Sequence, residues 1–418
     1  MADDLITRPT PRAEGAESAP TRALREIARD GYRSSPWWLR VLAVFAFSRV
    51  VSTVLLLGFA RVQATNPWTF ADPGYASYAK IWDGQWYFIV SQVGYPNVLP
   101  LTADGHVGQN QWAFLPVYPA IIRGLMELTG APFAPVAVFV SVVAAAGAAL
   151  VFFRILRRFL PEGSALFAVV LFCVAPLSPL LQVAYAESLF LLLIGSSLLL
   201  LLQRRYWLML LLLAVASFTR PGVVAFALAL ALHWGHRFLS RGRDPFPVRE
   251  RVEVAVAAVA TGILGLAWPA IAAIATGRID AYTATELSWR ADYIGYQKLF
   301  PFAAWIQGAN WWFPGGSGVL FLLVALMLFG VFLASPWARR LPVDLRLWVV
   351  AYVIYLLAVF FPQSSTFRVL MPVFPLLGGL AVSRSRVLRV ILVLVAIALQ
   401  WVWLYYCWYV NGLDWTPP

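Results

Sequence analysis

The stretch Trp82-Asp83-Gly84-Gln85-Trp86-Tyr87-Phe88 sets one carboxylate between tryptophans in a chain that is otherwise mostly apolar. At helical spacing Asp83, Trp86 and Tyr87 share a face. A carboxylate among aromatic rings at a partly dry interface suits a general base, because desolvation raises its affinity for a proton. The plainer reading is a helix N-cap with Trp82 and Trp86 as interfacial anchors. A second acid, Glu187 in Tyr185-Ala186-Glu187-Ser188, stands where a long apolar run begins. An ionisable group there reads as functional, binding a hydroxyl or pairing an arginine, or as an acid favoured by the positive end of a helix dipole.

The elements that must position these residues are membrane helices. The 418 residues are 61% hydrophobic and 12% charged, with mean hydropathy +0.73, whereas soluble domains carry about 25% charged residues. The net charge of +12 rests almost wholly on arginine, with lysine only at Lys80 and Lys298. In a chain this apolar that excess sets orientation and is not a nucleic-acid footprint. Arginine over lysine, with abundant Ala, Leu and Val, points to a GC-rich bacterial genome. Cys173 and Cys407 are the only cysteines and both lie in apolar stretches, so neither a disulfide framework nor a zinc motif is present. Residues 1–35, polar and rich in Pro and Ala, read as a disordered tail.

A helix needs about 20 apolar residues to span the hydrocarbon. The candidate spans are 41–60, 133–153, 164–181, 185–202, 206–218, 220–237, 252–276, 316–335, 347–361, 367–382 and 388–408. Segment 112–129 reads as either a short span or an interfacial helix. If it does not cross, the arginine clusters (the tail, Arg154 to Arg158, Arg204 and Arg205, Arg237 to Arg251, Arg339 to Arg346, Arg384 to Arg389) fall on one side. The positive-inside rule makes that side cytoplasmic. The expected fold is an all-α bundle of about 11 spans in one domain, 36–418, with the N-terminus inside and the C-terminus outside. A first outer loop, 61–132, carries interfacial helices, and a second, 277–315, could close as a lid. Asp83, Glu187, Arg220 and Arg368 all collect on the outer side.

"WDGQWYFIVSQVGYP" followed by "FLPVYP" resembles the PIG-V-type mannosyltransferases, GT-C membrane enzymes that take mannose from a lipid-phosphate donor. Trp82, Asp83, Tyr87, Gly94, Tyr95, Phe114, Pro116, Tyr118 and Pro119 carry the match in the first loop. "YAESLF" at Tyr185–Phe190 resembles the family's next block, and "FTRPG" at Phe218–Gly222 a later Thr-Arg block. Pro221-Gly222 here departs from the family's frequent Arg-Ser-Asn-Gly. The match is dense over about 80–220 and thin after 250.

The resemblance implies an inverting transfer of mannose from polyprenyl phosphate mannose to an acceptor hydroxyl, outside the plasma membrane of a bacterium. Asp83 would be the base, with Trp82, Tyr87, Tyr118 and Glu187 at the substrates. A departing phosphate needs a cation. Arg220 and Arg368, at outer ends of apolar segments, suit it by bidentate bonding, although an arginine there also snorkels to a headgroup. In 277–315, Arg290 and Lys298, with Glu286 and Asp292, stand among aromatics and suit a sugar; Trp311 and Trp312 fit an aromatic belt. His106, Asp72 and Asp104 show no metal-ligand spacing, so no cofactor or metal is expected. Glycolipid, lipoglycan and secreted protein all remain open as acceptors. The same scaffold could take another lipid-linked sugar, arabinofuranose or glucose. A lipid or solute transporter is the alternative of another class, but it calls for ionisable residues near mid-span, and Arg49 is the main one.

Overall fold

The computed structural model describes residues 34–297, 300–313 and 315–410. The expected disordered tail lies outside them, except for Ser34 and Ser35. Among the described residues the chain is helical; a single bridge between Leu101 and Val107 stands in place of any strand. The first half holds α1 (Trp37–Arg61), α2 (Asp83–Val93), α3 (Val117–Thr129), α4 (Phe133–Leu156), α5 (Glu162–Val174), α6 (Glu187–Leu202) and α7 (Tyr206–Ser217). The second holds α8 (Val224–Leu239), α9 (Val248–Thr276), α10 (Ala281–Ser288), α11 (Ala303–Trp312), α12 (Ser317–Ala334), α13 (Val343–Val359) and α14 (Arg386–Trp403).

Prolines set many of the starts. Pro36, Pro132, Pro161, Pro247 and Pro342 each stand immediately before a helix in an extended conformation. A proline has no N–H to offer a preceding turn, so it ends the chain before it and frees the helix after it. Glycines in the left-handed region, Gly130 and Gly277, close α3 and α9.

Among the described residues five helices are long and apolar enough to cross a membrane: α1, α4, α9, α12 and the last, Arg386–Trp408, which ends in a π-turn. The protein is thus a helical membrane protein. The six other expected spans are shorter or broken. Helices α6, α7, α8 and α13 have 16, 12, 16 and 17 residues. The run 164–181 ends as a helix at Val174, because Pro176 forces Ala175 into the extended region (ψ 154°), and a 3₁₀ turn, Ser178–Gln182, follows. The run 367–382 breaks at Pro372 and Pro375 into short pieces. Segment 112–129 holds α3, whose 13 residues reach about 20 Å, short of the roughly 30 Å hydrocarbon.

Arg49 explains how the broken run after α5 is tolerated. Its guanidinium donates to the carbonyls of Cys173 (2.7 Å) and Ser178 (2.6 Å) and to Gln182 Oε1 (3.1 Å). The two carbonyls are backbone acceptors in the stretch where proline interrupts the helix. The one conspicuous mid-span charge is therefore a structural clamp. Arg49→Ala is expected to lower stability by about 1–3 kcal/mol for each buried acceptor it strands. The check is the thermal unfolding midpoint in detergent, which should fall while Arg61→Ala, exposed at the end of the same helix, leaves it unchanged.

Helix α4 packs on α6, α6 on α7, and α8 on both α9 and α13. At the crossing of α8 and α9 a Cβ on Gly265 would lie 2.5 Å from Val224 Cγ2 and 2.9 Å from its backbone nitrogen, so only glycine permits this approach. The arginine clusters meet acids at one end of these helices: Arg204 with Asp244 (2.7 Å), Arg237 with Glu250 (2.9 Å) and His233 with Asp344 (2.7 Å). The segments with Asp83, Glu187, Arg220 and Arg368 join at the other end.

Candidate active site

Two backbone hydrogen bonds fasten the 61–132 segment to the helix ends. Ala184 N donates to Ala79 O (2.9 Å), and Val117 N donates to Phe218 O (2.9 Å). The first brings Asp83 to Glu187, and the second brings the whole segment against Arg220. The fit is close: a Cβ on Gly84 would stand 3.3 Å from Ala184 Cβ. Asp83 opens α2 directly after Trp82, which holds φ 60° and ψ −125°. That conformation is costly for a bulky residue and is tolerated where surrounding structure over-determines it, often beside functional groups.

Asp83, Glu187, Arg220 and Arg368 form one continuous charge network. Arg220 Nη1 donates to Glu187 Oε1 (2.6 Å). Arg368 Nε lies 3.5 Å from the same oxygen, and its Nη1 donates to Asp83 Oδ2. Arg368 also lies over the Tyr185 ring, 5.4 Å from its centre, and the Tyr185 hydroxyl accepts from Asp83 N (3.3 Å). Glu187 is 3% exposed, yet its Oε2 has no hydrogen-bond partner. A buried carboxylate oxygen left unpaired is rare enough to require a reason, and an absent ligand hydroxyl supplies one. Two carboxylates and two guanidiniums leave the quartet neutral, so an arriving anion meets cations already in place.

The network opens on a cavity of about 1520 Å³. That exceeds the roughly 300–1,000 Å³ usual for one small ligand. Trp82, Asp83, Trp86, Tyr87, Glu187, Arg220, Arg290 and Arg368 all line it. Tyr87 is 3% exposed, and burial raises its phenol well above the ordinary range, so it stays protonated. One flank is apolar, formed by Leu228, Gly265, Leu266, Ile354 and Val359 between α8, α9 and α13. Leu266, Ile354 and Val359 are exposed as well as apolar.

Tyr118 corrects the expectation of a substrate contact. It is fully buried and outside the cavity lining, with its hydroxyl 3.0 Å from Ala137 O and 2.8 Å from Ser141 Oγ. Its ring meets that of Tyr87 at 5.0 Å, edge to face, so it backs the wall without facing a ligand. Lys298 lies outside the described residues. Arg290 reaches the cavity from the end of α10, beside Val359 O at 3.5 Å. The proposed lid is fixed at this end: Asn110 Nδ2 donates to Thr285 Oγ1 (2.9 Å), and Trp86 meets Trp289 at 5.4 Å. Further along, His106 stacks on Tyr296 at 4.0 Å.

Tyr282, Tyr352 and Tyr355 also line the cavity, and no motif in the sequence marks them. In the sequence Glu286 is one charge among several in 277–315. Tyr282, Glu286, Trp289 and Arg290 fall at i, i+4, i+7 and i+8, a single stripe where the segment is helical. No family model matches the chain, and no curated protein does.

Proposed function

We propose that the cavity is the active site of an inverting GT-C-type glycosyltransferase that takes mannose from polyprenyl phosphate mannose. The observation that carries this reading is the charge network in the cavity lining, where Asp83 pairs with Arg368 and Arg220 joins through Glu187, beside an apolar flank. A base and phosphate-binding cations fit transfer from a phosphate leaving group, and the flank fits a polyprenyl tail. Resemblance to PIG-V-type enzymes supplies the sugar.

In this reading the donor phosphate takes over Arg220 and Arg368, which loosens the bond holding Asp83. The acceptor oxygen then attacks the anomeric carbon while Asp83 takes its proton. The bond from that carbon to the phosphate oxygen breaks, and the electron pair leaves on the phosphate, held by the arginines. One displacement inverts the anomeric centre, so a β-linked donor gives an α-mannoside. We place the reaction at the outer face of a bacterial plasma membrane, with about eleven crossings and the arginine-rich end in the cytoplasm. The acceptor would be a glycolipid, a lipoglycan or a protein. A transporter is less well supported, because Arg49 is committed to backbone carbonyls.

Competition among donors tests the reading. Protein in lipid nanodiscs is titrated with polyprenyl phosphates bearing mannose, glucose or arabinofuranose, and tryptophan fluorescence reports binding. Tightest binding of the mannosyl form is expected. A preference for another sugar would move the assignment within the scaffold, and no binding of any would sink it.

A further inference from the structure

Part of the cavity wall is one face of α10 and its end. Tyr282, Glu286, Trp289 and Arg290 all line the cavity from it. Among the carboxylates of this cavity, Asp83 and Glu187 are tied to arginines. Asp292 is exposed, as a solvated acid should be. Glu286 is different: it is partly buried, it faces the cavity, and among the described residues it has no ion-pair partner. Beside it, the buried indole N–H of Trp289 has no hydrogen-bond partner. A carboxyl, an idle indole N–H and the rings of Tyr282 and Tyr355 on one cavity wall match a hexose, with its apolar ring faces and its rim of hydroxyls.

We propose that this face of α10 is the sugar-recognition surface, with Glu286 holding hydroxyls of the transferred sugar. The proposal rests on the donor reading above and adds to it the group that sees the sugar, as distinct from those that see the phosphate. Burial raises the Glu286 carboxyl above its ordinary range, against the opposing pull of Arg290 and of a hydrogen bond from the Tyr282 hydroxyl, which leaves further acceptor capacity on the carboxyl for a sugar hydroxyl. A carboxyl that accepts from a sugar hydroxyl, with the donating indole N–H of Trp289 beside it, suits a pair of hydroxyls. The plainer role, a buried acid that braces α10, is served instead by Asn110 with Thr285 and by Trp86 with Trp289.

The test compares two probes, polyprenyl phosphate and polyprenyl phosphate mannose, on full-length protein in nanodiscs. Wild type should bind the mannosyl form more tightly. Glu286→Ala should weaken that form about tenfold while changing the bare phosphate less than twofold. Glu286→Gln, which keeps an acceptor oxygen at the same reach, should stay within about threefold of wild type for both. Should the alanine variant fail to fold, Glu286→Met, of similar volume, gives the same reading. Equal weakening of both probes, or no effect on either, overturns the sugar role and leaves the donor reading standing. A glutamine variant as weak as alanine overturns recognition through the acceptor oxygen that the two side chains share. Wild type that binds both probes equally also overturns the proposal, and wild type that binds neither sinks the donor reading with it.

Discussion

Asp83→Asn is expected to bind the donor and fail to turn it over, with kcat reduced about 10²- to 10⁴-fold, the usual worth of a positioned base. Asparagine keeps the shape of the side chain and can still accept from Arg368, so the wall of the cavity survives. It cannot take a proton. Asp83 sits at the first residue of α2, is pinned through its backbone N–H to Tyr185, and shares Arg368 with Glu187. Removing its charge leaves Arg368 with Glu187 as its remaining counter-ion, which favours the phosphate in competition for that arginine. Donor affinity should therefore hold or rise while turnover collapses. An Asp83→Asn protein of normal thermal midpoint that loses donor affinity and turnover in parallel would make Asp83 a binding group and not the base.

Arg368 carries the second large effect. It is one cation shared by two carboxylates 104 positions apart in the chain, Asp83 and Glu187, and its side chain is 12% exposed. Arg368→Gln leaves two acids facing each other with Arg220 alone between them. Breaking a buried pair by removing one partner typically costs about 3–5 kcal/mol, because the charge left behind stays desolvated. A lower thermal midpoint and at least tenfold weaker donor binding are expected together. Arg368→Lys should restore little, since a point charge on a flexible stem cannot reproduce a planar fork that reaches two acids at once. Recovery of both quantities by lysine would mean that the site needs only a positive charge. In that case the bidentate reading of Arg368 fails.

How much of this was legible beforehand follows from the range of each interaction. Arginines and acids at the ends of apolar runs announce themselves, because a charge there is costly and needs a use. Asp83, Glu187, Arg220 and Arg368 could thus be placed on one side from hydropathy and charge alone. Their pairing could not, since Asp83 and Arg368 stand 285 positions apart and Glu187 and Arg220 stand 33 apart. Tyr118 misled for a related reason. A motif residue serves either the substrate or the wall behind it, and local pattern does not separate the two. Span lengths were overestimated where hydropathy ran on through Pro176, Pro179, Pro372 and Pro375, whose missing N–H groups and rings stop the helix regardless of how apolar the run is. The charges of 277–315 suit a sugar already in the sequence, but the helical register that sets Tyr282, Glu286, Trp289 and Arg290 on one cavity wall emerges only with the fold.

The most direct measurement is transfer itself. Membranes expressing wild type or Asp83→Asn in equal, folded amount are given radiolabelled polyprenyl phosphate mannose and total native lipid. The predicted result is a labelled product that appears with wild type and is absent with Asp83→Asn. Equal labelling by both would contradict the account, because Asp83 would then be a cap or an anchor in a site whose chemistry lies elsewhere.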